Sequence, residues 1–151
     1  MIHIQQEDFD SGAELQALEA SGPATGAVCS FTGLARDYGD KEGVSALFLE
    51  HYPGMTEAAI ENILRDAHER WPLQGVRVIH RVGTLQPGER IVFVGVASSH
   101  RKEAFAACEF IMDYLKTGAP FWKKEITAQG EHWVEQKASD QSASQRWQKT
   151  P

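Results

Sequence analysis

The chain has 151 residues, of which 42% are hydrophobic, and a formal net charge of −6. This length fits one domain with a sizeable core. The acidic balance argues against nonspecific nucleic-acid binding, because such proteins need a basic face to displace counterions from phosphates. Any site for an anion must therefore be local.

The cysteines and the N-terminus indicate a cytoplasmic protein. Cys29 and Cys108 lack the paired spacing of a metal site or a disulfide framework, so we interpret both as core residues in a reducing compartment. The N-terminal segment has no basic region followed by an apolar run, and no apolar stretch is long enough to cross a bilayer. His51 and His68 have no companion ligands at suitable spacing, so we expect no metal site.

The first part of the chain predicts a strand, a short helix and a buried strand. Residues 2–9 alternate weakly, Asp10 or Ser11 can cap the helix, and residues 25–32 form an apolar, β-prone run. A polar, glycine-bearing loop follows, and it contains Arg36. A solvated surface arginine is the commoner interpretation. A loop that directly follows a buried strand often carries binding residues, so Arg36 is a candidate.

The middle of the chain predicts a strand, an amphipathic helix and a hairpin. Residues 44–52 alternate like a half-buried strand, and a Pro-Gly turn leads to a helix capped by Thr56. After Pro72, residues 76–82 and 91–98 read as two strands joined by another Pro-Gly turn.

A long helix follows the second of these strands, with Ser99 as its expected cap and His100 and Arg101 in its first turn. Free backbone N–H groups, the positive end of the helix dipole and Arg101 together suit an anion. A capping serine followed by two exposed residues explains the pattern equally well. Spacing alone leaves both interpretations open.

The helix ends in a lysine-rich segment. Lys116 lies in the last turn, before Gly118 and a proline, and the large apolar pair before Lys123 suggests that this second lysine leaves a packed platform. The simpler interpretation of this segment is a helix end whose lysines are exposed and serve solubility. Lysines that are close together and partly desolvated can instead act as nucleophiles, proton-transfer groups or clamps for anions.

The remaining sequence predicts two short strands, over 125–127 and 132–135, and then a polar segment. Strands and helices are mixed without strict β-then-α alternation, so the expected class is α+β. We expect one domain over residues 1–137, with a mixed, largely antiparallel sheet and flanking helices. Residues 138–151 are expected to form a mobile tail.

Several long motifs occur in order along nearly the whole chain: FTGLARD, LEHYPGMTE, VIHRVGTLQPGE, VFVGVASSHR and FIMDYLKTGAPFWKKE. With these motifs the chain resembles the large, catalytic subunit family of molybdopterin synthase. The resemblance implies an α/β-hammerhead fold and a sulfur transferase of molybdenum-cofactor biosynthesis, with no cofactor of its own. The substrate would be cyclic pyranopterin monophosphate. The sulfur would arrive as a thiocarboxylate at the C-terminus of a small ubiquitin-like partner.

The resemblance also implies a homodimer that binds one small subunit at each end, forming a heterotetramer, and it assigns roles to residues at matching motif positions. Arg36, His100 and Arg101 would hold the phosphate and the pterin. Lys116 would be the main catalytic residue and would also bind substrate, with support from Lys123.

Lys124 and Glu125 extend the second lysine motif and are expected to line the substrate pocket. Gly118 departs from the family pattern, in which a larger, often basic residue occurs, so the local charge and rigidity of this loop differ here. The residues leave open whether Lys116 transfers protons and stabilises charge or attacks the acyl group of the partner. A non-catalytic scaffold that binds the tail of a ubiquitin-like protein is the alternative function.

Helix geometry predicts a composite site. Arg101 and Lys116 are fifteen residues apart on one helix, and at about 1.5 Å per residue their backbones are separated by roughly 22 Å. One helix cannot bring both to one small substrate. If both belong to the same pocket, we expect a second subunit to supply His100 and Arg101 across a two-fold interface.

Overall fold

The computed structural model describes residues 1–38, 43–134 and 138–149. Its strands are β1 (Ile2–Gln5), β2 (Ala27–Leu34), β3 (Val44–His51), β4 (Leu73–Arg81), β5 (Gly83–Leu85), β6 (Arg90–Ser98), β7 (Phe121–Thr127) and β8 (Gly130–Val134). Its helices are α1 (Ser11–Glu19), α2 (Met55–Arg70), α3 (Arg101–Gly118) and α4 (Ala138–Gln145), followed by a 3-10 turn, Arg146–Lys149. The mixed content of helices and strands confirms the predicted class.

The described strands form two four-stranded sheets, where the sequence predicted one. Sheet A has the order β1-β4-β6-β2, with β1 parallel to β4 and the other pairs antiparallel. Sheet B has the order β5-β3-β7-β8 and is antiparallel. The predicted β4–β6 hairpin is confirmed, but its connection contains β5, which leaves sheet A and pairs with β3. Gly83 begins β5 with a φ of +89°, a conformation that favours glycine, so the chain can turn there from one sheet to the other.

Sheet A carries helices on both faces. Helices α2 and α3 pack on one face, and α1 packs on the other. The buried positions of α3 recur at helical spacing: Ala104, Ala107, Cys108, Phe110, Ile111 and Leu115. On the opposite face Leu18 lies against Gly95 of β6, where a Cβ atom would overlap the leucine side chain. The missing side chain therefore lets α1 approach the sheet.

Two predicted helix caps are wrong by one or two residues. Helix α3 has His100 at its N-cap position without a side-chain cap hydrogen bond, so Ser99 lies outside the helix. Helix α2 has Gly54 at the N-cap position, so Thr56 lies inside the helix, where it is buried. The Thr56 hydroxyl donates to the carbonyl oxygen of Pro120 at 2.9 Å. This bond joins the start of α2 to the residue that precedes β7.

The C-terminal segment is folded from residue 138 to residue 149, in contrast to the predicted mobile tail. Helix α4 packs against α3, and Trp147 packs against Trp71 and Phe110 of the core. One large apolar side chain, that of Trp147, was too weak a signal for docking in a segment that is otherwise mostly polar. The predicted boundary at residue 137 lies outside the described residues. No helix in the described ranges is both long and apolar enough to cross a membrane.

Candidate active site

A cavity of about 580 Å³ opens where the two sheets meet the end of α3. Its walls come from β2 and the residues that follow it, from β3 and β7, from the last turns of α3 and from the start of α4. Cavities of this size suit small ligands. The charged or titratable residues of the lining are Arg36, Tyr38, His80, Lys116, Lys123, Glu125 and Asp140.

Strand β7 determines which of two adjacent lysines faces the cavity. Successive side chains of a strand point to opposite faces. Phe121, Lys123 and Glu125 line the cavity, and Lys124 does not. The predicted strand began only at residue 125, whereas the observed strand begins at Phe121. The alternation of β7 therefore separates the two lysines.

Lys124 lies on the opposite face of sheet B. Its ammonium pairs with Glu131 at 3.0 Å and lies 5.1 Å from the ring centroids of both Phe48 and Trp133. The expectation that Lys124 lines the pocket is therefore wrong. Its contacts are those of a lysine that packs its stem over aromatic rings and keeps its charge paired at the surface.

The two lysines predicted as catalytic reach the same cavity from different elements. Lys116 lies in the last turn of α3, as predicted, and is exposed, whereas Lys123 of β7 is partly buried. Arg36 follows β2, and its guanidinium carbon lies 4.6 Å from the ring centroid of Tyr38. The fold thus brings Arg36, which is distant in sequence, to the cavity that Lys116 and Lys123 share.

Glu125 also faces the cavity, as predicted, and it is only 2% exposed. A buried carboxylate must be paired or hydrogen-bonded to be stable. Such a group is a fixed acceptor that can orient neighbouring donors. Glu125 therefore fits a role in ordering the cationic wall better than direct contact with an anionic substrate.

His80 is a cavity residue that the sequence analysis did not select. Its ring stacks on Phe121, with centroids 3.8 Å apart and planes at 16°. Its Nδ1 atom lies 2.8 Å from the carbonyl oxygen of Arg81. Burial lowers the pKa of His80 to about 4; the hydrogen bond to Arg81 opposes this change, and the charges of Lys116 and His51 add to it. The imidazole is therefore neutral at pH 7.

A signal for His80 was present in the sequence. The predicted strand over residues 76–82 places Val76, Val78 and His80 on one face, and the two valines are buried beneath the helices. A polar side chain at the end of an apolar strand face indicates a site at its edge. Ser139 and Asp140 also line the cavity, and they were missed because their segment was predicted to be mobile.

His100 and Arg101 lie outside this cavity. They are exposed and line a separate, shallow depression at the start of α3 with Lys102, Glu103 and Phe105. The full length of α3 separates this depression from Lys116. A single chain thus keeps the two groups of predicted site residues apart, as helix geometry indicated.

The cavity is a local cationic site on an acidic chain. Its lining contains three positively charged side chains, those of Arg36, Lys116 and Lys123. It also contains two carboxyl groups, those of Glu125 and Asp140. Guanidinium and ammonium groups bind phosphates and carboxylates. The arrangement therefore suits an anionic ligand.

Residues 4–118 match the family model described as MoaE protein. A molybdopterin synthase catalytic subunit of Pseudomonas aeruginosa is 57% identical over 147 residues, which cover 97% of this chain and 98% of that protein. The chain belongs to the MoaE family. Arg36, His100, Arg101 and Lys116 lie within the family match, and Lys123 lies beyond its end.

Solved structures are similar to this MoaE-family chain over nearly its whole length. The molybdopterin biosynthesis MoaE protein of Burkholderia ambifaria has a TM-score of 0.81 and 51% identity, with 97% of each chain covered. A protein–protein complex of subunits 1 and 2 of the molybdopterin-converting factor of Helicobacter pylori contains a chain with a TM-score of 0.75 and 21% identity, with 90% of this chain and 91% of that chain covered. The second similarity is one of fold.

Proposed function

We propose that this MoaE-family chain is the catalytic subunit of a molybdopterin synthase and acts as a sulfurtransferase. It transfers sulfur from the thiocarboxylated C-terminus of a small ubiquitin-like subunit to cyclic pyranopterin monophosphate, and the product is the molybdopterin dithiolene. The observation that carries the proposal is the shared cavity of Lys116, Lys123 and Arg36 in a chain with a net charge of −6.

The proposed reaction brings two anions together. The substrate carries a cyclic phosphate, and the incoming tail ends in a thiocarboxylate, so their mutual repulsion opposes the encounter. Cations fixed in one cavity reduce this repulsion and hold both groups in a reactive arrangement. The cationic cavity of this chain supports that role, as does the family to which the chain belongs.

Lys116 is the proposed main catalytic residue, and Lys123 supports it. Once a thiocarboxylate has given its sulfur to the substrate carbon, its acyl group must pass to water or to an amine. Lys116 can assist either by proton transfer and charge stabilisation or by forming a transient amide with that acyl group.

Substitution of Lys116 tests this assignment. Lys116→Ala should abolish product formation and leave folding and partner binding intact, because an exposed residue at a helix end contributes little to the core. Lys116→Arg should not restore activity, since arginine keeps the charge but is a poor nucleophile and proton donor. An active arginine variant would show that charge alone suffices. An unfolded alanine variant would show a structural role instead.

We further propose that His100 and Arg101 act in the cavity of a second subunit of a homodimer. Their distance from Lys116 in one chain supports this arrangement. Mixing inactive Arg101→Ala and Lys116→Ala chains under subunit exchange should restore up to roughly one wild-type site per heterodimer. A mixture that forms heterodimers and stays inactive would show that each site is built within one chain.

The proposed assembly is a heterotetramer of two such chains and two small subunits, located in the cytoplasm. Purified protein mixed with the thiocarboxylated small subunit and cyclic pyranopterin monophosphate should yield the dithiolene product. Binding of both without turnover would favour the scaffold. This one assay therefore separates the two functions.

A further inference from the structure

His80 has a fixed place at the junction of the two sheets. Its backbone lies between two neighbouring strands of sheet A, opposite Ile4 of β1 and Val92 of β6. Its ring stacks on Phe121, the first residue of β7 in sheet B. Since both the backbone and the ring plane are held, the orientation of the imidazole in the cavity is set by the fold.

The contact of Nδ1 determines the tautomer of His80. A carbonyl oxygen can only accept a hydrogen bond, so Nδ1, which lies 2.8 Å from the oxygen of Arg81, carries the hydrogen. In a neutral imidazole the other nitrogen, Nε2, then has a free lone pair and is an acceptor. The cavity thus contains an uncharged nitrogen acceptor whose direction is fixed.

The charge of Lys116 acts on the imidazole of His80. The positive charge of Lys116 contributes to the low pKa of His80, behind the effect of burial, and His51 of β3 adds a smaller effect. Lys116 is exposed, so a fixed acceptor would restrict the motion of its ammonium. The other charged groups that line the same cavity, from the segments after β2, in β7 and in α4, are Arg36, Lys123, Glu125 and Asp140.

We propose that His80 is a positioning residue for Lys116: the Nε2 atom of the imidazole accepts a hydrogen bond from the Lys116 ammonium, and the stack on Phe121 keeps the ring in place for it. The catalytic consequence rests on the proposed function, in which Lys116 is the main catalytic residue. The contact between the two side chains does not depend on that function.

Three substitutions of His80 distinguish the effect of the Nε2 acceptor from the effect of the aromatic ring. Gln places an amide oxygen near the position of Nε2, Asn reaches only the position of Nδ1, and Phe keeps an aromatic ring without any acceptor. In the reconstituted synthase, His80→Phe and His80→Asn should lower kcat by about tenfold to a hundredfold, the size expected when one hydrogen bond to a charged group is lost. His80→Gln should retain most of the activity, and KM for the pyranopterin should change little in all three.

The outcomes decide the role of His80. If His80→Phe has wild-type kcat, the ring serves packing alone and the proposal is wrong. If folded His80→Gln is as inactive as His80→Phe, a hydrogen-bond acceptor at this position does not explain the activity, and the proposal is wrong. Thermal unfolding of each variant shows which of them are folded and can be compared.

An NMR titration tests the contact without any turnover, so it stays informative if the synthase activity itself is absent. Nitrogen-15 shifts of the full-length chain should show His80 as the neutral tautomer with hydrogen on Nδ1 at pH 7. In Lys116→Met the pKa of His80 should rise, because a nearby positive charge has been removed. An unchanged pKa, or the opposite tautomer, would refute the contact even if every His80 variant failed to fold.

Discussion

Replacing Trp147 with alanine should release the C-terminal segment from the helices that it covers. The Trp147 ring makes edge contacts with Trp71 and Phe110, at centroid distances of 5.8 and 5.4 Å. Its indole N–H donates to Asp113 Oδ2 at 2.7 Å. Because Asp140 of the same segment lines the cavity, Trp147 also anchors one wall of the proposed site.

The expected loss of stability follows from these contacts. An aromatic pair contributes about 0.5–1.5 kcal/mol, and a hydrogen bond to a carboxylate contributes about 1.5–3 kcal/mol. The contributions overlap, and Trp147 is only partly buried, so the loss should be below the ~3–5 kcal/mol of a fully buried tryptophan. We expect the free energy of unfolding to fall by about 2–3 kcal/mol. For a chain of this size that corresponds to a fall in Tm of roughly 5–10 °C.

Urea unfolding followed by far-UV circular dichroism measures this loss, since the substitution removes a fluorophore. Gln148→Ala is the matched control, because Gln148 lies in the same 3-10 turn and is exposed. Its free energy of unfolding should stay within about 0.5 kcal/mol of the wild type. A similarly small change for Trp147→Ala would refute the anchor and restore the prediction of a mobile tail.

Two further predictions concern the cavity. Lys123→Ala should lower the rate of product formation by at least about tenfold. Lys124→Ala should change that rate less than about twofold and lower the free energy of unfolding by about 1 kcal/mol, since Lys124 pairs with an exposed Glu131. An equal loss of rate in both variants would contradict the assignment of Lys123 to the cavity face of β7 and of Lys124 to the other face. His80 has a pKa of about 4 in the folded chain and 6.5 when unfolded, so the unfolded state binds more protons between these values. The free energy of unfolding should therefore fall as the pH drops from about 6.5 to about 4, and His80→Gln should weaken this dependence. If urea unfolding gives the same pH profile for the wild type and for His80→Gln, this prediction is wrong.

The sequence predicted most elements because each carries a local signal. Apolar spacing identified α2 and α3, alternation identified β3, and two β-prone runs joined by a Pro-Gly turn identified the β4–β6 pair. Gly118 and Pro120 located the end of α3, which in turn placed Lys116 in its last turn. These are properties of short windows, where helix and strand periods differ and stop signals are strong.

The features that were missed depend on partners that are distant in sequence. The short strand β5 exists because it pairs with β3, and its three residues carry no strand pattern of their own. Docking of Trp147 needs the pocket made by Trp71 and Phe110. Burial, and with it the low pKa of His80, exists only once both sheets are in place. None of these effects is visible in a single segment.

The charge of the cavity depends on the pairing of two strands that are distant in sequence. Strand β7 pairs with β3 so that Lys123 lies opposite Leu49 and Lys124 lies opposite Phe48. Leu49 is buried and lines the cavity with Lys123, and Phe48 lies under the ammonium of Lys124 on the other face. A shift of the register by one residue would turn Lys124 inward and both Lys123 and Glu125 outward, because side chains alternate with a period of two. The apolar pattern of β3 therefore selects which lysine of the motif becomes available for chemistry.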